Sequence, residues 1–343
     1  MRDVLLNLML RALESGVADY VLTPSRGPGG TFPWILVNDV RLLDRAEPFP
    51  PVMYVQGAKA LASFARSPFG GKVLAVMRPC EARAAVELSK LDQVTMQNVY
   101  FLTMDCPGAV PVKSYRNGDF TEPDPGEPES LRPLCRQCTH FTGAGDLFLA
   151  LHGGPPVFRP VTGSGRELLE TLGMETGEDR AEWVEWRDAL LRHRKEARKR
   201  GMEDMRRSYT GLGGLARLYG GCISCRNCRT VCPICYCRLC FIDMKDRRSP
   251  ASDHLHRSGE RGGDRLPGGT LLFHMGRMAH MSLSCVSCGM CEDACPSDIP
   301  VGRMVSMVSE KTAAVFGYEA GRDTEEPLPL NTFEPDELHE YED

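Results

Sequence analysis

Short apolar, β-branched runs alternate with helix-spaced apolar positions over residues 19–160. Runs at 20–22, 34–37, 52–55, 73–77 and 99–104 predict strands, and the stretches near 57–67 and 80–91 predict helices. Ahead of them, residues 1–13 are apolar but interrupted by Arg2, Asp3 and Arg11, which predicts an amphipathic helix and not a cleaved leader. The alternation predicts an α/β (or α+β) domain over 1–164. Residues 117–133, rich in Pro, Gly and acids, break the pattern and read as a long exposed loop.

A helical connector follows at 165–220. Its 187–207 segment carries nine Lys/Arg against four Asp/Glu, read as a solvated helix face or, alternatively, a docking surface for an acidic partner. A cysteine-rich domain spans 221–318, with a polar insertion at 245–269 that lacks periodicity, and includes a last helix at about 301–315. The tail, 319–343, holds ten acids and one base and is expected to be extended.

With 343 residues and 42% hydrophobic content, the chain can bury a core in more than one domain. A net charge of -5 argues against nucleic acid as a partner. No run reaches the ~18 apolar residues of a membrane span, so a cytoplasmic protein with no direct membrane span is expected. Fifteen cysteines in tight clusters form a poor disulfide framework, and metal ligation explains them better.

Cys222, Cys225, Cys228 and Cys232 followed by Pro233 match C-x2-C-x2-C-x3-C-P, and Cys285, Cys288, Cys291 and Cys295 followed by Pro296 match it again. In this pattern a short loop wraps three thiolates round one 4Fe–4S cube, while the fourth cysteine reaches the other cube. Crossing groups Cys222, Cys225, Cys228 and Cys295 as one cluster, and Cys285, Cys288, Cys291 and Cys232 as the other; closure within each motif is the alternative. Structural zinc would favour paired knuckles over two four-cysteine runs each ending in proline. These features predict a bacterial-type two-cluster, ferredoxin-like module that conducts electrons between a source and a sink.

Cys80 and Cys106 each follow a predicted strand, where ligand sites of α/β sheets gather. With Cys135 and Cys138 folded over that crevice they can hold a third 4Fe–4S cluster; inert buried thiols are the alternative. Cys235, Cys237 and Cys240 remain as a candidate further site, completed by Asp243, His254 or His256, or as packing residues. The loop 23–30 offers Ser25, Arg26, Gly29 and Gly30 to a phosphate, against an ordinary turn.

The stretches Arg78-Pro-Cys-Glu-Ala-Arg-Ala-Ala-Val-Glu-Leu and Cys135-Arg-Gln-Cys-Thr-His-Phe-Thr-Gly-Ala-Gly-Asp resemble the beta subunit family of coenzyme F-420-reducing hydrogenase and F-420-dependent formate dehydrogenase. The resemblance covers roughly residues 4–243, while the Cys285 half resembles attached ferredoxin modules. It implies FAD in the N-terminal domain and a cluster held by Cys80, Cys106, Cys135 and Cys138. Thr139 and His140 stand where an acidic residue is expected. The function it implies is an iron–sulfur flavoprotein subunit of a formate dehydrogenase, hydrogenase or heterodisulfide-reductase-like complex. Electrons would pass between coenzyme F-420 or NAD(P)H, FAD and the clusters. A flavin-free adaptor joining two redox enzymes is the alternative.

Overall fold

A computed structural model of the chain describes residues 2–65, 70–126, 128–177, 180–237, 240, 251–261, 269–330 and 332. Six strands, β1 (Tyr20–Pro24), β2 (Trp34–Val37), β3 (Val73–Val76), β4 (Val99–Met104), β5 (Leu147–Ala150) and β6 (Val157–Pro160), form one sheet in the order β2-β1-β3-β4-β5-β6. The four central strands are parallel, and each edge strand is antiparallel to its neighbour.

Helices cover both faces of this mixed sheet, so its central strands are apolar on both sides. Along β3 the side chains alternate: Val73 and Ala75 enter the core shared with α2 (Gly57–Phe64) and α3 (Pro79–Lys90). Leu74 and Val76 face the opposite core, with Leu5, Leu8 and Met9 of α1 (Arg2–Glu14). The 52–55 run is no strand; it makes turns ahead of α2, and Met53 packs with Ala109 and Met290. Two short helices, α4 (Val112–Asn117) and α5 (Pro133–Arg136), lie in the connection from β4 to β5.

After β6, α6 (Gly163–Thr171) adds Leu168 and Leu169 to the α1 face. The Thr162 hydroxyl caps it by accepting from the Gly165 N–H at 3.1 Å. A Cβ at Gly165 would lie 2.0 Å from the Asp146 carbonyl oxygen. Gly165→Ala is therefore expected to cost about 1–3 kcal/mol or more, because backbone must move. Thermal unfolding should show the loss, with iron content unchanged, since α6 lies apart from the cysteines.

The remaining helices are α7 (Ala181–Ser208), α8 (Gly211–Tyr219), α9 (Asn227–Val231), α10 (Ala251–Arg261), α11 (Thr270–Met281), α12 (Met290–Asp293) and α13 (Val301–Phe316). The insertion expected to lack periodicity thus contains a helix, α10. α9 packs on α12, α7 on α13, and α11 on both α8 and α13. Ile234, Met281, Val286 and Val305 join the core containing Ala82 and Ala85, so the cysteine-rich part shares a core with one sheet face.

The first part of the acidic tail folds back rather than extending. Tyr318, Ala320 and Leu328 are buried in that same core, and the Glu87 carboxylate accepts from the Tyr318 hydroxyl (2.6 Å) and the Gly321 N–H (2.7 Å). The tail's residues 331 and 333–343 lie outside the described residues.

A candidate iron–sulfur relay beside a basic cleft

The two C-x2-C-x2-C loops have the same backbone course. Ser224 and Arg226 in the first, and Ser287 and Gly289 in the second, take left-handed conformations, with φ of 55°, 61°, 56° and 78°. These bends sit just before and just after the second cysteine and curl each loop round a common centre. Only Gly289 adopts such an angle without a Cβ penalty. The third cysteines, Cys228 and Cys291, then sit on α9 and α12, which pack together.

Cys222, Cys225, Cys228 and Cys295 line one small cavity, and Cys232, Cys285, Cys288 and Cys291 line another. Each loop's fourth cysteine thus faces the cavity of the other loop. A third cavity is lined by Cys80, Cys106, Cys135 and Cys138, with Cys288 on its wall. Each encloses about 20 Å³, more than the ~10–15 Å³ that admits one water. Among the described residues no group of three or more His, Cys, Asp or Glu closes tightly enough for a single metal ion. Four thiols to a cavity match the four irons of a cube.

Local structure aims the third set. Pro79 opens α3 directly after β3, and the Glu81 carboxylate accepts from the Arg78 N–H at 2.8 Å, which places Cys80 in the first turn. After β4, the buried Asp105 accepts from Thr142 Oγ1 (2.5 Å), the Leu151 N–H (2.9 Å) and Trp183 Nε1 (2.8 Å). The Cys106 N–H donates to the Phe141 carbonyl at 2.8 Å, which ties this loop to the Cys138 segment. Gly108, with φ of 108°, lets the loop pass where a Cβ would meet Leu131 at 2.9 Å and Cys135 at 3.3 Å.

Burial raises the thiol pKa of Cys80, Cys138, Cys285 and Cys291, and brings that of Cys288 to about 11. A buried thiol gives up its proton when a metal takes the thiolate, so these sites favour metal-bound over free thiolates. Arg78 Nη1 donates to Cys106 Sγ at 3.4 Å and to the Gly108 carbonyl at 2.7 Å. His274 Nε2 lies 3.4 Å from Cys222 Sγ, and its ring stacks on Tyr219 at 3.9 Å. Burial, followed by Arg277, lowers the His274 pKa to about 4, so this partner of Cys222 is neutral at physiological pH.

The other three cysteines do not join these cavities. Cys235 Sγ lies 3.0 Å from Met281 Sδ, Cys237 is exposed and Cys240 is half-buried. Asp243 and the His254 side chain lie outside the described residues, while the exposed His256 lies 3.3 Å from Glu260. In the 23–30 loop, Arg26 Nε donates to Glu47 at 2.7 Å and Ser25 Oγ to the Arg45 carbonyl at 3.2 Å. The N–H groups of Ser25, Arg26 and Gly27 bond to Pro33, Arg45 and Thr31. Gly29 and Gly30 turn the chain with φ of 64° and 70°. Most donors expected for a phosphate are therefore spent within the chain.

A larger cleft, about 780 Å³, opens between α7 and α13 beside Cys138 and Cys285. Lys195, Lys199, Met202 and Arg206 recur along one face of α7 and look into it. Arg83, Arg198 and Arg322 add charge, partly offset by Glu310 and Glu319.

No protein-family model matches the chain. Over 305 residues it is 26% identical to the F-420-dependent formate dehydrogenase subunit beta of Methanocaldococcus jannaschii, covering 76% of each protein. Over 308 residues it is 27% identical to the F-420-dependent formate dehydrogenase 1 subunit beta of Methanococcus maripaludis, covering 76% of this chain and 75% of that one. The chain is thus similar, over three quarters of its length, to F-420-dependent formate dehydrogenase beta subunits. Among solved structures, a chain of the xenon-derivatised F-420-reducing NiFe hydrogenase complex from Methanosarcina barkeri matches with a TM-score of 0.45 and 18% identity, covering 61% of this chain and 87% of that chain. No helix among the described residues is long and apolar enough to cross a membrane.

Beyond the cysteines, this chain surrounds its cavities with basic side chains that no motif announces. His274 and Arg277 lie one turn apart on α11, in a segment whose other residues are largely apolar. Two polar residues three apart on a core-facing helix are a usable signal, but they do not say what they face. Arg132, the largest fully buried side chain among the described residues, has no local signature.

Proposed function

We propose that this chain is an electron-transfer subunit of a multi-subunit oxidoreductase of the formate dehydrogenase or hydrogenase kind. In this reading the three cysteine sets hold 4Fe–4S clusters. The observation that carries it is continuity: Cys288 lines the walls of both the second and third cavities, and the α9–α12 contact joins the first to the second. Adjoining cavities of this sort suit a relay, whereas isolated thiols would have no reason to adjoin.

The basic cleft is the better candidate for the flavin that the family resemblance implies, ahead of the Ser25–Gly30 loop. Its volume falls in the ~300–1,000 Å³ range of small-molecule sites. Lys195, Lys199 and Arg206 face it with no ion-pair partner among the described residues, which suits a diphosphate. Cys138 and Cys285 reach its wall, so a ligand there borders two cysteine sets. When bound, a flavin supplies conversion between two-electron and one-electron chemistry, and the clusters supply one-electron transfer. Coenzyme F-420 or NAD(P)H would be the hydride source. The residues themselves hold the thiolates and neutralise phosphate charge.

Iron, acid-labile sulfide and flavin per chain, measured on the complex isolated anaerobically, test this reading. About twelve irons and one flavin are expected, on four irons per cube. Replacing Lys199 and Arg206 by glutamine should lower the flavin content and leave the iron unchanged. Near eight irons and no flavin would leave a two-cluster adaptor in place of the flavoprotein.

A further inference from the structure

Two arginines are buried where neighbouring cysteine sets meet. Arg277, 4% exposed, reaches from α11 between the first and second sets. Its Nη2 donates to the Cys228 carbonyl at 3.0 Å and lies 3.6 Å from Met281 Sδ. The same sulfur is 3.5 Å from Cys232 Sγ, so the guanidinium has the first set on one side and the second on the other. Its Nε and Nη1 have no hydrogen-bond partner among the described residues.

Arg132, 2% exposed, occupies the corresponding place between the second and third sets. It lies on the wall of the third cavity, and its Nη2 is 3.8 Å from Cys135 Sγ. Its Nη1 lies 3.4 Å from Met290 Sδ, on the wall of the second cavity. Unlike Arg277, it has a carboxylate nearby, Asp293 at 3.6 Å.

A buried charge without a counter-charge is strongly unfavourable. For Arg277 no carboxylate lies within ion-pair distance among the described residues, so the thiolate sets themselves must balance it.

We infer that Arg277 and Arg132 are positioning cations of the relay, each shared between two adjoining clusters and raising the reduction potential of both. The inference rests on the cluster reading above. Reduction of a cluster adds one electron, hence one negative charge, with no bond made or broken. A fixed cation in a low-dielectric interior favours that added charge, and net charge and hydrogen bonding are the recognised controls of cluster potential. Because Asp293 partly cancels Arg132, removing Arg277 has the larger effect.

The test is a redox titration of the intact complex followed by electron paramagnetic resonance, with iron counted on the same samples. Arg277→Met should lower the potentials of two of the three clusters by about tenfold each in the reduction equilibrium, ~59 mV for one electron, and leave the third unmoved. Arg277→Lys should restore most of the shift, which a purely steric role would not do. Arg132→Gln should move a different pair, sharing one cluster with the first, and by less.

Unmoved potentials in a fully loaded Arg277→Met protein, or an equal shift of all three, overturn the inference. If the methionine variant fails to load, Arg277→Gln carries the same reading. Iron loss from every uncharged variant also overturns it, because the arginines would then be structural. Failure of the cluster reading is distinct, since the unsubstituted complex would itself lack the iron and the signals.

Discussion

A chain carrying both Cys222→Ser and Cys295→Ser is expected to keep about eight irons of about twelve, on four irons per cube. Both side chains face the same cavity, so the second substitution damages a site that the first has already lost. Had each motif closed on itself, the two substitutions would strike different clusters and leave about four irons. The complementary pair, Cys222→Ser with Cys232→Ser, reverses the pattern: it strikes two cavities although both residues belong to one motif. Iron and labile sulfide on protein prepared without oxygen distinguish the outcomes, and the retained set shows which thiols belong together.

The second large effect is expected at Glu87, which is fully buried on α3. Its Oε1 accepts from the Tyr318 hydroxyl and the Gly321 N–H, and Lys90 Nζ lies 3.6 Å away. Lys90 Nζ also donates to the Tyr318 hydroxyl at 3.0 Å. Glu87→Leu would remove the acceptor of the Tyr318 hydroxyl and the Gly321 N–H and leave Lys90 with the more distant Glu326 carboxylate, at 3.9 Å, and losing one partner of such a group costs about 3–5 kcal/mol. Glu87→Gln keeps an acceptor oxygen and should cost appreciably less. Thermal unfolding would show the difference, a drop of roughly 5–10 °C for leucine. Since Tyr318, Glu319 and Ala320 wall the basic cleft, and Arg83 donates to the Ala320 carbonyl, the leucine variant should also lose flavin before it loses iron.

Much of the architecture is legible in the sequence because period and chemistry coincide there. β3 and β4 are almost wholly apolar runs, as strands covered on both faces must be, and the two cysteine motifs repeat with identical spacing. The run at 52–55 misleads for the same reason: a buried β-branched turn has the local pattern of a strand. β5 and β6 escape notice because each is only four residues long beside Gly- and Pro-rich turns. The acidic tail reads as extended because its anchoring partners, Glu87 and Arg83, lie more than 200 residues earlier. Arg132 and Arg277 are hidden by the same non-locality: a buried cation is explained only by what folds round it, and no local pattern records that.

The crossed arrangement of the two C-terminal cavities also bears on how the protein is made. On the ribosome, Cys222, Cys225 and Cys228 emerge well before Cys295, and Cys232 well before Cys285. Neither four-thiol set is complete until translation has passed the second motif. On the cluster reading proposed above, iron delivery to these two sets follows synthesis of the second motif. A ribosome stalled between the motifs would present up to four unpaired thiols of the first run, open to oxidation, and no finished site.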